Sequence, residues 1–273
     1  MNWDSPGAAL QALGVDTSKP GFYDDPNFLK AERQNPELLE LYGAFIQAQK
    51  FDRNYLQRAE RVIRSAVEFL HERLNSENQL GRCVDASIVL MRFLERQGIW
   101  SYAAKGALTI FFDKSTRVST CYFAPIMMPG NPAVAGHVWL HAPPFAIADF
   151  AVQLQPYRGN ERKHLPPYVL AMQTTPCKHT SSDLMEPEAV QDFWLKRGRP
   201  PTLDDIETQI PGISDAVRRL GAGEVRYGKA VMRYVATGVS APQEPLEEWR
   251  NLKVTGKYPV ELYEEFITQL DAR

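Results

Sequence analysis

Cys83 is the residue of this chain best placed for nucleophilic chemistry. It stands just after Gly81 and opens a run, Ile88 to Leu94, that is apolar apart from Arg92. That pattern predicts a buried helix over about 83–97, closed by Gly98. A helix N-terminus presents unpaired N–H groups and the positive end of the helix dipole. Both favour thiolate over thiol, and the same N–H groups can hold an oxyanion. Gly81 would let a substrate approach the sulfur closely. The competing reading of Cys83 is a packed structural cysteine.

A histidine and a carboxylate occur further on, at His137 and Asp149. Gly136 to His141 and Phe145 to Val152 read as the strands of a hairpin, with Pro143-Pro144 at its turn. Folding symmetrically about Pro143 sets Leu140 near Ala146, Trp139 against Ile147 and His137 against Asp149. Opposed residues have Cβ atoms about 4.5–5.5 Å apart and share a face. An Asp so placed fixes the imidazole's tautomer and orientation. A one-residue slip would send Asp149 to the other face. Trp139 shares the face of His137 and could shield the pair from water, although a core tryptophan is the simpler reading. Gln79, four residues before Cys83, is either an oxyanion donor or a solvated loop residue.

Other constellations compete for the same residues. His137, His141, Cys177 and His179 could supply a zinc site, but their spacing is not that of a known finger, and a metal-bound His137 could not act as a base. No metal or organic cofactor is therefore expected. Met127-Met128 could line a groove or fill space. Gly221-Ala222-Gly223 is too little for a phosphate loop.

These residues sit in a chain of 273 residues, long enough to bury about 73% of its unfolded surface. With 44% hydrophobic residues and a net charge of −2, it is a folded chain rather than a disordered one. The near-neutral balance and the lack of a long basic run argue against a nucleic-acid partner. Cys83, Cys121 and Cys177 are few, odd in number and widely spaced, which fits a reducing compartment, and no signal peptide is apparent in Met1 to Leu10. A cytoplasmic location is expected. Val118 to Ala148 carries no charge, but Pro125, Pro129, Pro132, Pro143 and Pro144, with Gly130 and Gly136, interrupt it. It reads as buried strands and loops, and no membrane association is expected.

Three regions follow. Residues 1–53 form an N-terminal helical arm, with a helix starting near Asn35-Pro36-Glu37. Residues 54–165 hold the core: a helix over about 55–75 carrying the stripe Leu56, Ala59, Val62, Ile63, Ala66, Val67, Leu70 and Leu74, then the Cys83 helix, then a strand from Trp100 to Phe112 with Gly106 as a bulge. Residues 166–273 read as a mainly helical appendix, with helices at Glu188–Lys196, Ile213–Leu220, Val225–Val235 and Val260–Leu270, and as a protein-interaction surface.

The run Gly81-Arg82-Cys83-Val84-Asp85-Ala86-Ser87-Ile88-Val89-Leu90, continued to Leu94 and Gly98-Ile99, resembles the nucleophile helix of the transglutaminase-like, papain-related thiol superfamily. Gly136-His137-Val138-Trp139 resembles its His-x-Trp strand, and Ile147-Ala148-Asp149 its apolar-apolar-Asp strand. His141 stands where an acidic residue often follows the Trp. The likeness spans about residues 55–155. It implies an α+β fold: a papain/transglutaminase-like core with the nucleophile helix packed on a small antiparallel sheet, plus N- and C-terminal helical segments. It implies Cys83 as nucleophile, His137 as base and acid, and Asp149 as the orienting acid. The expected activity is thiol-dependent acyl transfer on a peptide or protein substrate, as a cysteine peptidase or amidase or by transglutaminase-like amide exchange. Two alternatives remain. One is an arylamine N-acetyltransferase-like enzyme, although Arg-Gly-Gly-x-Cys and Asp-Val-Gly-Phe-Gly are missing here. The other is a catalytically silent binding module of the same fold.

Overall fold

Asp52 starts the longest helix: its carboxylate accepts the Tyr55 N–H at 2.8 Å, the role expected of an N-cap aspartate. The computed structural model describes residues 5–35, 37–127 and 136–272. Expectations placed on Met1 to Asp4, Pro36, Met128, Pro129, Gly130 and Pro132 fall outside those residues. In chain order the elements are α1 (Pro6–Ala12), α2 (Pro26–Glu32), α3 (Leu38–Ala48), α4 (Arg53–Ser76), α5 (Cys83–Arg96), β1 (Tyr102–Phe112), β2 (Cys121–Phe123), β3 (His137–Ala142), β4 (Phe145–Asp149) and β5 (Val169–Ala171). They continue with β6 (Thr175–Pro176), α6 (Ser181–Leu184), α7 (Pro187–Arg197), α8 (Leu203–Gln209), α9 (Ile213–Leu220), β7 (Ala222–Tyr227), β8 (Ala230–Ser240) and α10 (Pro259–Asp271).

The stripe expected on α4 is buried from Ala59 to Leu74, and α5 is buried continuously from Ala86 to Leu94. Gly98, at φ +64°, ends α5. The Gly98 N–H donates to Glu95 O and the Ile99 N–H to Leu94 O, both at 2.8 Å, a pattern that satisfies the last helical carbonyls. Ser87 on α5 donates its hydroxyl to Val138 O of β3 at 3.0 Å. The helix that carries Cys83 is thus tied to the strand that carries His137.

The chain is α+β. Its sheet is larger than expected: eight antiparallel strands in the order β5-β4-β3-β1-β8-β7-β6, with β2 also paired to β1. The helix expected over Val225–Val235 is instead the β7–β8 hairpin, turning at Gly228-Lys229 between the paired Tyr227 and Ala230. Residues 166–273 therefore share one sheet with 54–165, and β8 lies beside β1 at its centre. Gly221-Ala222-Gly223 leads into a strand rather than a helix. Among the described residues, no helix is long and apolar enough to cross a membrane.

Gly106 is the expected bulge. The β1–β8 register shifts between Lys105 and Gly106, and a Cβ on Gly106 would lie 2.0 Å from Val235 O. A Cβ on Gly136 would lie 2.4 Å from Gly106 O. Two glycines thus let β1, β3 and β8 crowd together where His137 pairs with Gly106. Bulges re-aim side chains in this way beside functional sites.

A polar cluster holds the flanking segments to α5. Arg92 donates to Asp24 at 2.6 Å, to Glu95 at 3.1 Å and to Glu244 O at 3.2 Å. Tyr23 donates to Glu95. Burial pushes the Glu95 carboxyl up to about 7 despite Arg92. Arg92→Ala should therefore cost about 3 kcal/mol in urea unfolding, the low end for breaking a buried pair, because Asp24 is half-exposed. Arg218→Ala, which breaks an exposed pair with Asp215, should move stability by less than about 0.5 kcal/mol.

Candidate active site

The hairpin turns at Pro143-Pro144, with Ala142 paired to Phe145. Its register differs from the symmetric one. Leu140 pairs with Ala148, two residues further along β4 than expected: one residue arises at the turn, where Ala142 meets Phe145, and the other at an irregularity between Leu140 and Ala142. A two-residue shift preserves faces, whereas a one-residue shift would have exchanged them. Asp149 is therefore diagonal to His137 and still on its side of the sheet. The side chains span the diagonal: His137 Nε2 lies 2.7 Å from Asp149 Oδ2.

Both groups are buried, at 1% exposure each, so the carboxylate must be satisfied from within the protein. Tyr234 on β8 donates its hydroxyl to Asp149 Oδ2 at 2.9 Å, and the Ala151 N–H donates to Oδ1 at 3.0 Å. Asp149 accepts at Nε2, so Nε2 carries the hydrogen in the neutral ring. Nδ1 is buried and has no hydrogen-bond partner among the described residues. The Cys83 thiol is close enough to raise the proton affinity of the ring. Burial works against the imidazolium, but the Asp149 charge, its hydrogen bond and Cys83 outweigh it and push the ring's pKa from the ordinary 6.5 up to about 10.

Cys83 is the first residue of α5, as expected, and is buried at 3% exposure. Its neighbours Gly81, Arg82 and Val84 are exposed. The N-cap, Arg82, gives no side-chain hydrogen bond to the first turn. Gly81 adopts φ +71°, and a Cβ there would meet nothing within 4 Å. Its N–H donates to Leu154 O at 2.8 Å. The segment leading into Cys83 is thereby fixed to the short 3-10 turn, Val152–Leu154, that follows Asp149.

Trp139 belongs to the site. Its ring stacks near that of His137 at 6.1 Å between centroids and 20° between planes. The Gln79 amide donates to Glu77 at 3.2 Å. The zinc grouping does not form. His137 is held by Asp149 and His141 faces Ala146 O at 3.3 Å. Among the described residues no group of three or more His, Cys, Asp or Glu could hold a metal. Tyr234 is the residue that sequence reasoning missed. Its signal was the alternation of Ala230, Met232 and Tyr234, all buried on β8.

Comparison with protein-family models, curated proteins and solved structures found no match to this chain.

Two outcomes follow from the geometry. Tyr234→Phe removes a hydrogen bond to a buried carboxylate and should cost about 1.5–3 kcal/mol in chemical denaturation. Because the folded pKa of His137 is raised, its stabilising contribution is complete below the ordinary 6.5 and is lost as pH rises through about 10. Asp149→Asn should flatten that alkaline loss, and NMR titration of the ring should then show a lower pKa.

Proposed function

We propose that this protein is a thiol-dependent acyl-transfer enzyme, with Cys83 as nucleophile, His137 as base and acid, and Asp149 as orienting acid. The reading rests on one observation: a buried imidazole is fixed through Nε2 by Asp149, its Nδ1 has no hydrogen-bond partner among the described residues, and Cys83, at a helix N-terminus, is near enough to raise the proton affinity of the ring.

In this mechanism the Cys83 proton already rests on His137 Nδ1 at neutral pH, as the raised proton affinity of the ring requires, and the thiolate attacks the carbonyl carbon of an amide. The oxyanion of the tetrahedral adduct is held by the uncapped N–H groups of the first turn of α5. His137 returns the proton to the leaving amine as the C–N bond breaks, leaving a thioester on Cys83. Water, deprotonated by the same imidazole, releases the acid and the free thiol. An amine in place of water gives amide exchange. A peptide or isopeptide bond is the proposed target. Asp149 keeps its charge throughout and stabilises the imidazolium, with Tyr234 and the Ala151 N–H in turn stabilising Asp149.

A second reading, a fold that binds partners without reacting, is favoured by the burial of Cys83 at 3% exposure.

Alkylation by iodoacetamide separates the two. Burial pushes the Cys121 thiol up to about 12 and raises that of Cys177, so both should react slowly at pH 7. Cys83 should label at least roughly tenfold faster than either, as an activated thiolate does, and His137→Ala should abolish that advantage. A Cys83 that stays inert in the folded protein, or that reacts equally without His137, overturns the enzyme reading and favours the binding module.

A further inference from the structure

A cavity lies on the His137 face of the sheet, beyond Trp139. Its volume is about 180 Å³, and Gln47, Tyr102, Trp139, His141, Thr174 and Tyr234 line it. Trp139 and Tyr234 stand between it and the His137–Asp149 pair, their rings 5.1 Å apart and inclined at 63°.

The polar groups in this cavity are unlike those of the thiol site. His141 Nδ1 lies 3.3 Å from Ala146 O. A carbonyl can only accept, so Nδ1 carries the hydrogen and Nε2 keeps a bare lone pair. No other partner of Nε2 is present among the described residues. The ring is fixed by stacking on Tyr102, at 5.0 Å between centroids and 26° between planes. Burial lowers its pKa to about 4, so it is neutral at physiological pH. The Gln47 amide donates to the Tyr102 hydroxyl, which leaves the hydroxyl hydrogen available as a donor. Among the described residues lining the cavity there is no Asp, Glu, Lys or Arg, so a charged ligand would be buried without a counter-ion. An apolar cavity of about 150 Å³ accepts a benzene ring. This one therefore has room for one ring and a small substituent.

We infer that this cavity is a binding site for a small uncharged molecule, one ring carrying a carboxamide-like group, whose N–H donates to His141 Nε2 and whose oxygen accepts from Tyr102. The ring lies against Trp139, and the site does not require Cys83.

Benzamide is the probe, read by ligand-observed saturation-transfer NMR on the full chain, with benzoate and benzamidine as charged isosteres. Benzamide should bind saturably to the parent protein and to Cys83→Ser alike, and at least tenfold more tightly than either isostere. His141→Phe keeps the ring stack but removes the acceptor, and should weaken binding at least tenfold. Ala146→Trp, which fills the cavity from its partly exposed side, should abolish it. Unchanged melting curves show that the variants fold. No saturable binding of benzamide, equal binding of the charged isosteres, or full binding by both folded variants overturns the inference.

Discussion

A carboxylate removed from water must find its hydrogen bonds inside the protein, and the centre of this fold is arranged around that demand at Asp149. Three groups meet it: the His137 ring, the Tyr234 hydroxyl and the Ala151 N–H. They come from β3, from β8 and from the turn after β4. Leaving any one out would strand a lone pair in an apolar setting, at a cost of about 1–3 kcal/mol or more for a charged group. The demand of one side chain thus couples the β3–β4 hairpin to Tyr234, 85 residues further along the chain.

The same arrangement fixes the cysteine. Ser87 ties α5 to β3, and the Gly81 N–H ties the approach to α5 to the turn after Asp149. The start of α5 cannot shift away from β3 without disturbing these links. The glycines at 106 and 136 act from the opposite side, since either side chain would push backbone apart next to His137. A buried ionisable pair is poor at stabilising a fold compared with apolar packing of the same volume. Its presence in this sheet, with Cys83 beside it, is what the proposed thiol chemistry would account for.

Much of this was legible in the residues. The stripe on α4, the nearly all-apolar α5 and Gly98 specified two helices and where the second stops, because 3.6-residue periodicity and a left-handed cap are local properties. Gly106 signalled its bulge for the same reason. The His137–Asp149 contact was legible through parity: the expected register was two residues off, and a period of two tolerates that error. What sequence could not supply was long-range pairing. Val231, Met232 and Val235 suit a helix as well as a strand, and their partner, β1, lies more than a hundred residues away. Missing β8 meant missing Tyr234 and underestimating the sheet. Gln79 is a different case: its position is local, but the partner its amide takes, Glu77, was not legible from spacing alone.

The pairing of β8 with β1 also sets a clock. Translation proceeds at roughly 5–20 residues per second, and more than a hundred residues separate the end of β1 from the start of β8. Cys83 and its helix therefore leave the ribosome on the order of ten seconds before Tyr234 is made. During that interval β1 lacks its central neighbour and Asp149 lacks one of its donors. The nascent thiol is held in an unfinished site, and its full environment is assembled only when the late strand is inserted.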